Sequence, residues 1–184
     1  MPEERWKQSA RQIADSLTNN PQHKVRMTRR IVSFANLLLA ALLIGTMFGI
    51  WLGYNPMELS AGAYIEQQQH AIRALNVVMP VLGALVALLT LASALLARRS
   101  RTQFALFVGA LICFVAAGVV TRFLNQPINA VVIVWSALAP PANWIELRDA
   151  WWQWHMLRTV IGIVGLSLLI AANLASNTHE VRKR

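Results

Sequence analysis

Apolar residues in this chain fall in long blocks rather than in alternation. Crossing a bilayer takes about 20 apolar residues. Ile31–Leu52, Val77–Leu96, Phe104–Val120 and the shorter Val160–Leu174 approach or meet that length. They are rich in Leu, Ala, Val and Ile, with no period of two. Only helices and closed barrels satisfy the backbone in lipid, so these blocks predict helices. The expected fold is all-α, an integral membrane four-helix bundle. A further apolar piece, Ala130–Leu138, is too short to cross and stops before Pro140 and Pro141. It predicts an extra interfacial or re-entrant segment between helices 3 and 4.

Polar positions then set the topology. Residues 1–30 hold Arg5, Lys7, Arg11, Lys24, Arg26, Arg29 and Arg30; Arg98, Arg99 and Arg101 join the second and third blocks; Arg182, Lys183 and Arg184 end the chain. Segments 53–76 and 121–158 carry only Arg73, Arg122, Arg148 and Arg158. The positive-inside rule puts both termini in the cytoplasm of a multi-pass inner-membrane protein. The net charge of +9 thus reflects topology, and the expected partners include membrane lipids and no nucleic acid. Three regions are expected: a basic leader (1–30), a four-helix transmembrane domain (31–175) and a basic tail (176–184). Trp6, Ala10, Ile13 and Leu17 recur at helical spacing in the leader, which suits either a surface helix or a frayed tail. The mostly polar residues ahead of Ile31 suggest an anchor that is retained rather than cleaved. One cysteine, Cys113, excludes an intrachain disulfide and a cysteine metal site.

Gly45, Gly49 and Gly53 repeat every fourth residue and offer a smooth face for another helix. Gly109, Gly162 and Gly165 offer smaller ones. Pro80 cannot donate to the carbonyl of Asn76, which predicts a kink. The second helix is expected to begin before the membrane, in "AYIEQQQHAIRALNVVMP", with Glu66, His70, Arg73 and Asn76 sharing a side. In "TRFLNQPIN", Gln126 precedes Pro127 and is expected to leave helical geometry. Asn143 with Glu146 has capping-box spacing for the last helix.

That helix carries Arg148, Trp151, His155 and Arg158 as one stripe. Val160–Leu174 spans about 22 Å at 1.5 Å per residue, short of the roughly 30 Å hydrocarbon core. Residues from the outer side must enter, which draws Arg158 and His155 into the apolar margin. A charge there faces the bundle interior and finds a partner. The alternative is that Arg158 snorkels outward and that Trp151, Trp152 and Trp154 form an aromatic belt. His70, Arg73, Asn76, Arg122, Asn125, Asn129, His155 and Arg158 all belong to one membrane face.

"NQPIN" followed by "WWQWHMLRT" resembles the Asn-x-Pro-x-Asn and Trp-x-x-x-His-x-x-Arg pattern of a four-helix membrane family that includes the anthrone oxygenases. "YIEQQQHAIRALNVVMPVLG" is similar to its second helix. The resemblance covers roughly residues 31–175. It implies a compact bundle with a pocket near one membrane face, and oxidation of an anthrone to an anthraquinone by dioxygen without an evident metal or flavin motif. Carried over by position, the site residues are Asn125, Asn129, Trp151, His155 and Arg158; His70, Arg73 and Asn76 join them from the shared face. His155 would take a proton, Arg158 would steady an enolate-like oxygen, and the asparagines would orient the ligand.

Two function classes stay open. One is an oxygenase or oxidoreductase acting on a small lipophilic aromatic or quinone-like molecule. The other is a non-catalytic membrane subunit, or a lipid- or quinone-binding module, that docks a partner through exposed residues such as Arg148. No cofactor is expected; the alternative is copper or iron held by Glu66, His70 and His155. A homo-oligomer or a membrane-complex partner fits either class. No nucleotide-binding loop or haem attachment motif is present in the sequence.

Overall fold

The structure is a computed structural model and describes residues 4–7 and 21–181. Residues 4–7 are helical, with Lys7 Nζ 4.0 Å from Glu4 Oε1. The rest of the leader's expected helical pattern lies outside the described residues, as does Arg182–Arg184. The elements are α1 (Pro21–Gly53), a 3₁₀ turn (Pro56–Glu58), α2 (Ala61–Leu75), α3 (Val78–Leu96), α4 (Arg101–Val120), a π turn (Thr121–Asn125), α5 (Gln126–Val132) and α6 (Trp144–Val181). Four stretches are long and apolar enough to cross a membrane: His23–Glu58, Val78–Leu96, Arg101–Val132 and Trp144–Ala175. They fall on the four blocks read from the sequence. No strand forms among the described residues; the only ladder contact is an isolated bridge between Ser136 and Ala139.

The four spans pack in a ring, with α1 beside α3 and α6, and α4 beside α3 and α6. The α4–α6 pairing is the most extensive. The ring has two cores. Toward the end where α1 begins and α6 finishes, Leu43, Ile44, Val86, Phe107, Ala110 and Leu169 form a mainly apolar core. At the opposite end Tyr54, Tyr64, Ile65, Ile72, Ile128 and Trp151 form a second core. Leu38, Leu88, Ile112, Val164 and Leu174 point outward and are exposed. Apolar side chains on both the inner and outer faces are what a bilayer-spanning bundle requires.

The glycines do not all act as their spacing suggests. An added methyl at Gly45, Gly49 or Gly53 would meet nothing within 4 Å, so this stripe faces away from the bundle. Close approach occurs on α6 instead. A methyl at Gly165 would lie 3.0 Å from both Cys113 Cβ and a Phe114 ring atom, and one at Gly109 would lie 3.2 Å from Leu168. Glycine periodicity marks where a helix can be approached; which neighbour arrives depends on the large residues around it.

Two local breaks shape the second core. The expected continuous second helix is split at Asn76–Val77 into α2 and α3. Asn76 caps α2, its N–H bonded to Ile72 O at 2.9 Å. Its own carbonyl has lost the donor that Pro80 cannot supply. The second break corrects an expectation. Gln126 stays α-helical (φ −61°, ψ −41°) even though Pro127 follows. The π turn makes this workable: Gln126 N–H donates to Thr121 O, five residues back. The widened turn accepts the proline ring at the start of α5 without ending the helix. The third span therefore continues to Val132, well past the expected Val120.

Residues 133–143 return the chain to α6 through turns. Gln69 Nε2 holds them down with bonds to Val132 O at 3.1 Å and Trp135 O at 2.8 Å. Gly62 permits a close approach, since a methyl there would lie 3.2 Å from Ala137 O. Asn143 directly precedes α6, and its carbonyl accepts from Leu147 N at 3.3 Å.

Replacing Gly165 with Val forces the α4–α6 contact apart and should destabilise the fold by about 1–3 kcal/mol. Gly45→Ala should change stability by less than about 0.5 kcal/mol. Thermal unfolding of both purified variants in one detergent checks the contrast; equal melting temperatures would refute it.

Candidate functional site

The site lies in the second core, where one helix presents an aromatic and cationic stripe to three others. On α6, Trp151, His155 and Thr159 are buried, with Arg158 beside them. His155 is 0% exposed. Its Nε2 lies 3.1 Å from the Met47 carbonyl on α1, and its Nδ1 lies 3.0 Å from Arg158 Nη2. A carbonyl only accepts and a guanidinium only donates, so both roles are fixed. His155 carries its proton on Nε2 and offers the Nδ1 lone pair to Arg158. Two indoles run nearly parallel to the imidazole: Trp151 at 5.2 Å and 2°, and Trp152 at 5.6 Å and 18°.

Arg158 reaches across to the π turn. Its Nη1 donates to Thr121 Oγ1 at 3.1 Å, and that hydroxyl donates to Ala117 O at 2.9 Å. Its Nε is buried without a hydrogen-bond partner. His155 and Arg158 thus point into the bundle rather than toward lipid.

A second network runs beside this one. Trp151 Nε1 can only donate, so Asn129 must turn its oxygen toward it, at 2.8 Å. Gln68 Nε2 donates to the same oxygen at 3.4 Å. Gln68 Oε1 is left to accept from Tyr54 OH at 3.1 Å, and Asn129 Nδ2 donates to Asn76 Oδ1 at 3.2 Å. One indole N–H therefore sets the orientation of three amides. Asn125, fully buried, donates through Nδ2 to Trp151 O at 3.0 Å, and its Oδ1 has no partner.

Between these networks is a cavity of about 230 Å³. Ile50, Tyr54, Gln67, Gln68, His70, Asn76, Met79, Pro80, Thr121, Gln126, Asn129, Trp151 and Arg158 are among its walls. A larger groove of about 660 Å³ opens outside it, between Trp51, Asn55, Glu58, Trp152 and Met156. The two share Tyr54 and Gln67. The groove is the larger, but Arg158, Asn76, Asn129 and Trp151 line the smaller cavity and not the groove. The smaller cavity is the chemically furnished one.

The residues singled out from sequence divide accordingly. Asn76, Asn129, Trp151 and Arg158 line the cavity, and exposed His70 reaches its wall. Asn125 and His155 stand behind it, bonded to the groups that line it. Arg73 is exposed and bonds to Gln69 Oε1 at 3.5 Å, away from the cavity. Arg122 is exposed over the Phe123 ring at 5.8 Å. Glu66 also lies on the exposed side of α2, so Glu66, His70 and His155 are not brought together; no group of three such ligands forms among the described residues. Arg148, expected to be exposed, is 8% exposed. It pairs with Asp149 at 2.8 Å and lies 4.9 Å from the Trp144 ring. Nearby Tyr64 is wholly buried, and desolvation raises its pKa above the ordinary value of 10.0.

Gln68, Tyr54, Thr121 and the Met47 carbonyl were not singled out. For Gln68 a signal existed: it follows Tyr64 by four and precedes Ile72 by four, the spacing of one buried stripe. The charged residues of α2 drew the reading to the opposite, solvated side. Trp152, one of the tryptophans of the alternative aromatic belt, stacks on His155 and meets Tyr54 edge-on at 6.3 Å.

The fold and site together define a small multi-pass helical membrane protein with a furnished chamber at one end of its bundle. A family model described as anthrone oxygenase matches residues 69–168, the part that builds most of the chamber. The chain belongs to the anthrone oxygenase family. No curated protein and no solved structure matches it.

Replacing Asn129 with Leu removes the acceptor of Trp151 Nε1 and Gln68 Nε2. Leaving buried donors unpaired should cost about 1–3 kcal/mol. Thermal unfolding in detergent measures this, and an unchanged melting temperature would show that the amide network is not structural.

Proposed function

We propose that the chain oxidises a small lipophilic aromatic molecule bound in the chamber, with anthrones as the first compounds to try. One observation carries this reading: the Arg158 guanidinium, its Nε buried, and the Trp151 indole line one cavity inside a member of the anthrone oxygenase family. The indole suits a flat ring and the guanidinium suits an oxygen that gains negative charge. At about 230 Å³ the cavity is below the roughly 300–1,000 Å³ common for drug-sized ligands, so a tricyclic ring needs it to widen.

In the proposed reaction a ring methylene becomes a carbonyl. One atom of dioxygen enters the product, and the other leaves as water with the two methylene hydrogens. Removal of the first proton gives an electron-rich anion that reacts with dioxygen. Arg158 turns toward the developing oxyanion, which releases His155 Nδ1, the one lone pair on the imidazole, to take that proton. Asn129 and Asn76 orient the ligand's oxygens, and Asn125 holds the Trp151 backbone. The reading uses no resident metal, because Glu66 and His70 lie apart from His155 and both His155 nitrogens are engaged. The basic flanks support a cytoplasmic location for both termini in the inner membrane, with the chamber at the other face.

The test is anthraquinone formation and oxygen uptake by membranes containing the full chain and supplied with an anthrone. Arg158→Gln, His155→Gln and His155→Asn should each lower turnover about 100-fold or more. Asn sets an oxygen near the place of Nδ1, so it keeps an acceptor for Arg158 but supplies no base. Full activity in His155→Asn would remove the proton-transfer role. Metal analysis of the purified active protein should give well under one copper or iron per chain; a stoichiometric amount would overturn the metal-free reading.

A further inference from the structure

Arg158 is a cation without an anion. Among the described residues it makes no ion pair. The described acids are committed or distant: Glu4 pairs with Lys7, Asp149 with Arg148, Glu58 accepts from Asn55 at 2.7 Å, and Glu66 and Glu146 are exposed on other surfaces. What Arg158 has instead is neutral: the Thr121 hydroxyl and the His155 Nδ1 lone pair. A guanidinium has five N–H donors, and these two contacts leave most of them unanswered, including the buried Nε–H. Burying a charge is costly unless it is paired, and proteins pair such groups almost without exception. Here the unpaired cation forms part of a cavity wall. The other titratable groups on that wall are Tyr54 and His70, and neither supplies a carboxylate.

We propose that the ligand brings the missing charge: the chamber selects aromatic molecules that already carry an ionised oxygen, a carboxylate or a phenolate, and Arg158 is the residue that sets this preference. The inference rests on the aromatic-binding reading above and narrows it to acidic aromatics. A neutral ring of the same shape gains the stacking surface of Trp151 but leaves Arg158 as it was. An anionic ring gains both, in a setting where charge-assisted bonds are strong.

The test compares 2-naphthoate with 2-naphthamide, a pair of nearly equal shape. Carboxylic acids titrate near pH 4, so at pH 7 only the first is charged. Calorimetric titration of the full chain in detergent should give naphthoate at least about tenfold tighter binding. In Arg158→Gln that ratio should fall to about one. A second measurement needs no variant. In wild-type protein labelled with nitrogen-15 arginine, one solvent-protected Nε–H signal should shift on adding naphthoate and stay still with naphthamide. Equal binding of the two probes by the wild type, a preference that survives in Arg158→Gln, or an unmoved Nε–H signal would each overturn the proposal. Equal binding would leave the aromatic-binding reading intact. Failure of both probes to bind would sink that reading and this inference together.

Discussion

A guanidinium inside an apolar bundle has to be surrounded by groups that answer it, and Arg158 imposes this requirement on three helices. A charge costs at least about 2.5 kcal/mol at mid-membrane on insertion scales, and less toward the apolar margin where Arg158 stands. The answer comes partly from α4, whose π turn puts the Thr121 hydroxyl 3.1 Å from Nη1. It comes partly from α6 itself, through His155. His155 in turn needs its proton on Nε2, which the Met47 carbonyl on α1 enforces. The π turn, the His155 tautomer and the α1–α6 contact at Met47 therefore meet around one charge. The π turn is not a defect tolerated for Pro127 alone. It also sets where Thr121 stands relative to α6.

The two ends of the bundle are stabilised by different physics. Toward the termini, packing does the work, and polar side chains make isolated pins. Asn36 bonds Thr90 at 3.1 Å, and Gln103 Nε2 bonds the Ala172 carbonyl at 3.2 Å. Toward the other end, the amides of Gln68, Asn76 and Asn129 form a directed chain whose sense is fixed by an indole that can only donate. Such a chain is sensitive to every member, because reversing one amide opposes like groups along the rest. Specificity of arrangement is concentrated where the cavity is, and generic packing suffices elsewhere.

Much of this was legible in the sequence, and the parts that were not share a cause. Block length gave the four spans, because a bilayer imposes a length on any helix that crosses it. The shortness of Val160–Leu174 drew Arg158 and His155 inward by the same logic. Pairing was harder to read. Gly45, Gly49 and Gly53 have the spacing of a contact face, yet close approach occurs on α6, at Gly162 against Ile44 and at Gly165 against Cys113 and Phe114. Pro127 was read as a helix end because the rule for the residue before proline concerns an ordinary α turn, and a π turn changes its terms. Gln68 was missed because charge is conspicuous in a sequence while a neutral amide on an apolar stripe is not. Local rules describe a residue and its neighbours along the chain. The site depends on which residues meet across it.

Tyr54 shows how closely the fold and the chamber are joined. It stands just past the end of α1, with its ring against Trp151 at 6.2 Å and Trp152 at 6.3 Å. Its hydroxyl holds Gln68, and through Gln68 it reaches Asn129 and the whole amide chain. The same residue, with Gln67, borders both the smaller cavity and the larger groove beside it. The residues that part the two spaces thus include one that also orients the amides within. Moving the Tyr54 ring would break its bond to Gln68 and release one acceptor in the chain. The wall shared with the groove and the polar wall of the cavity are therefore joined through a single hydrogen bond.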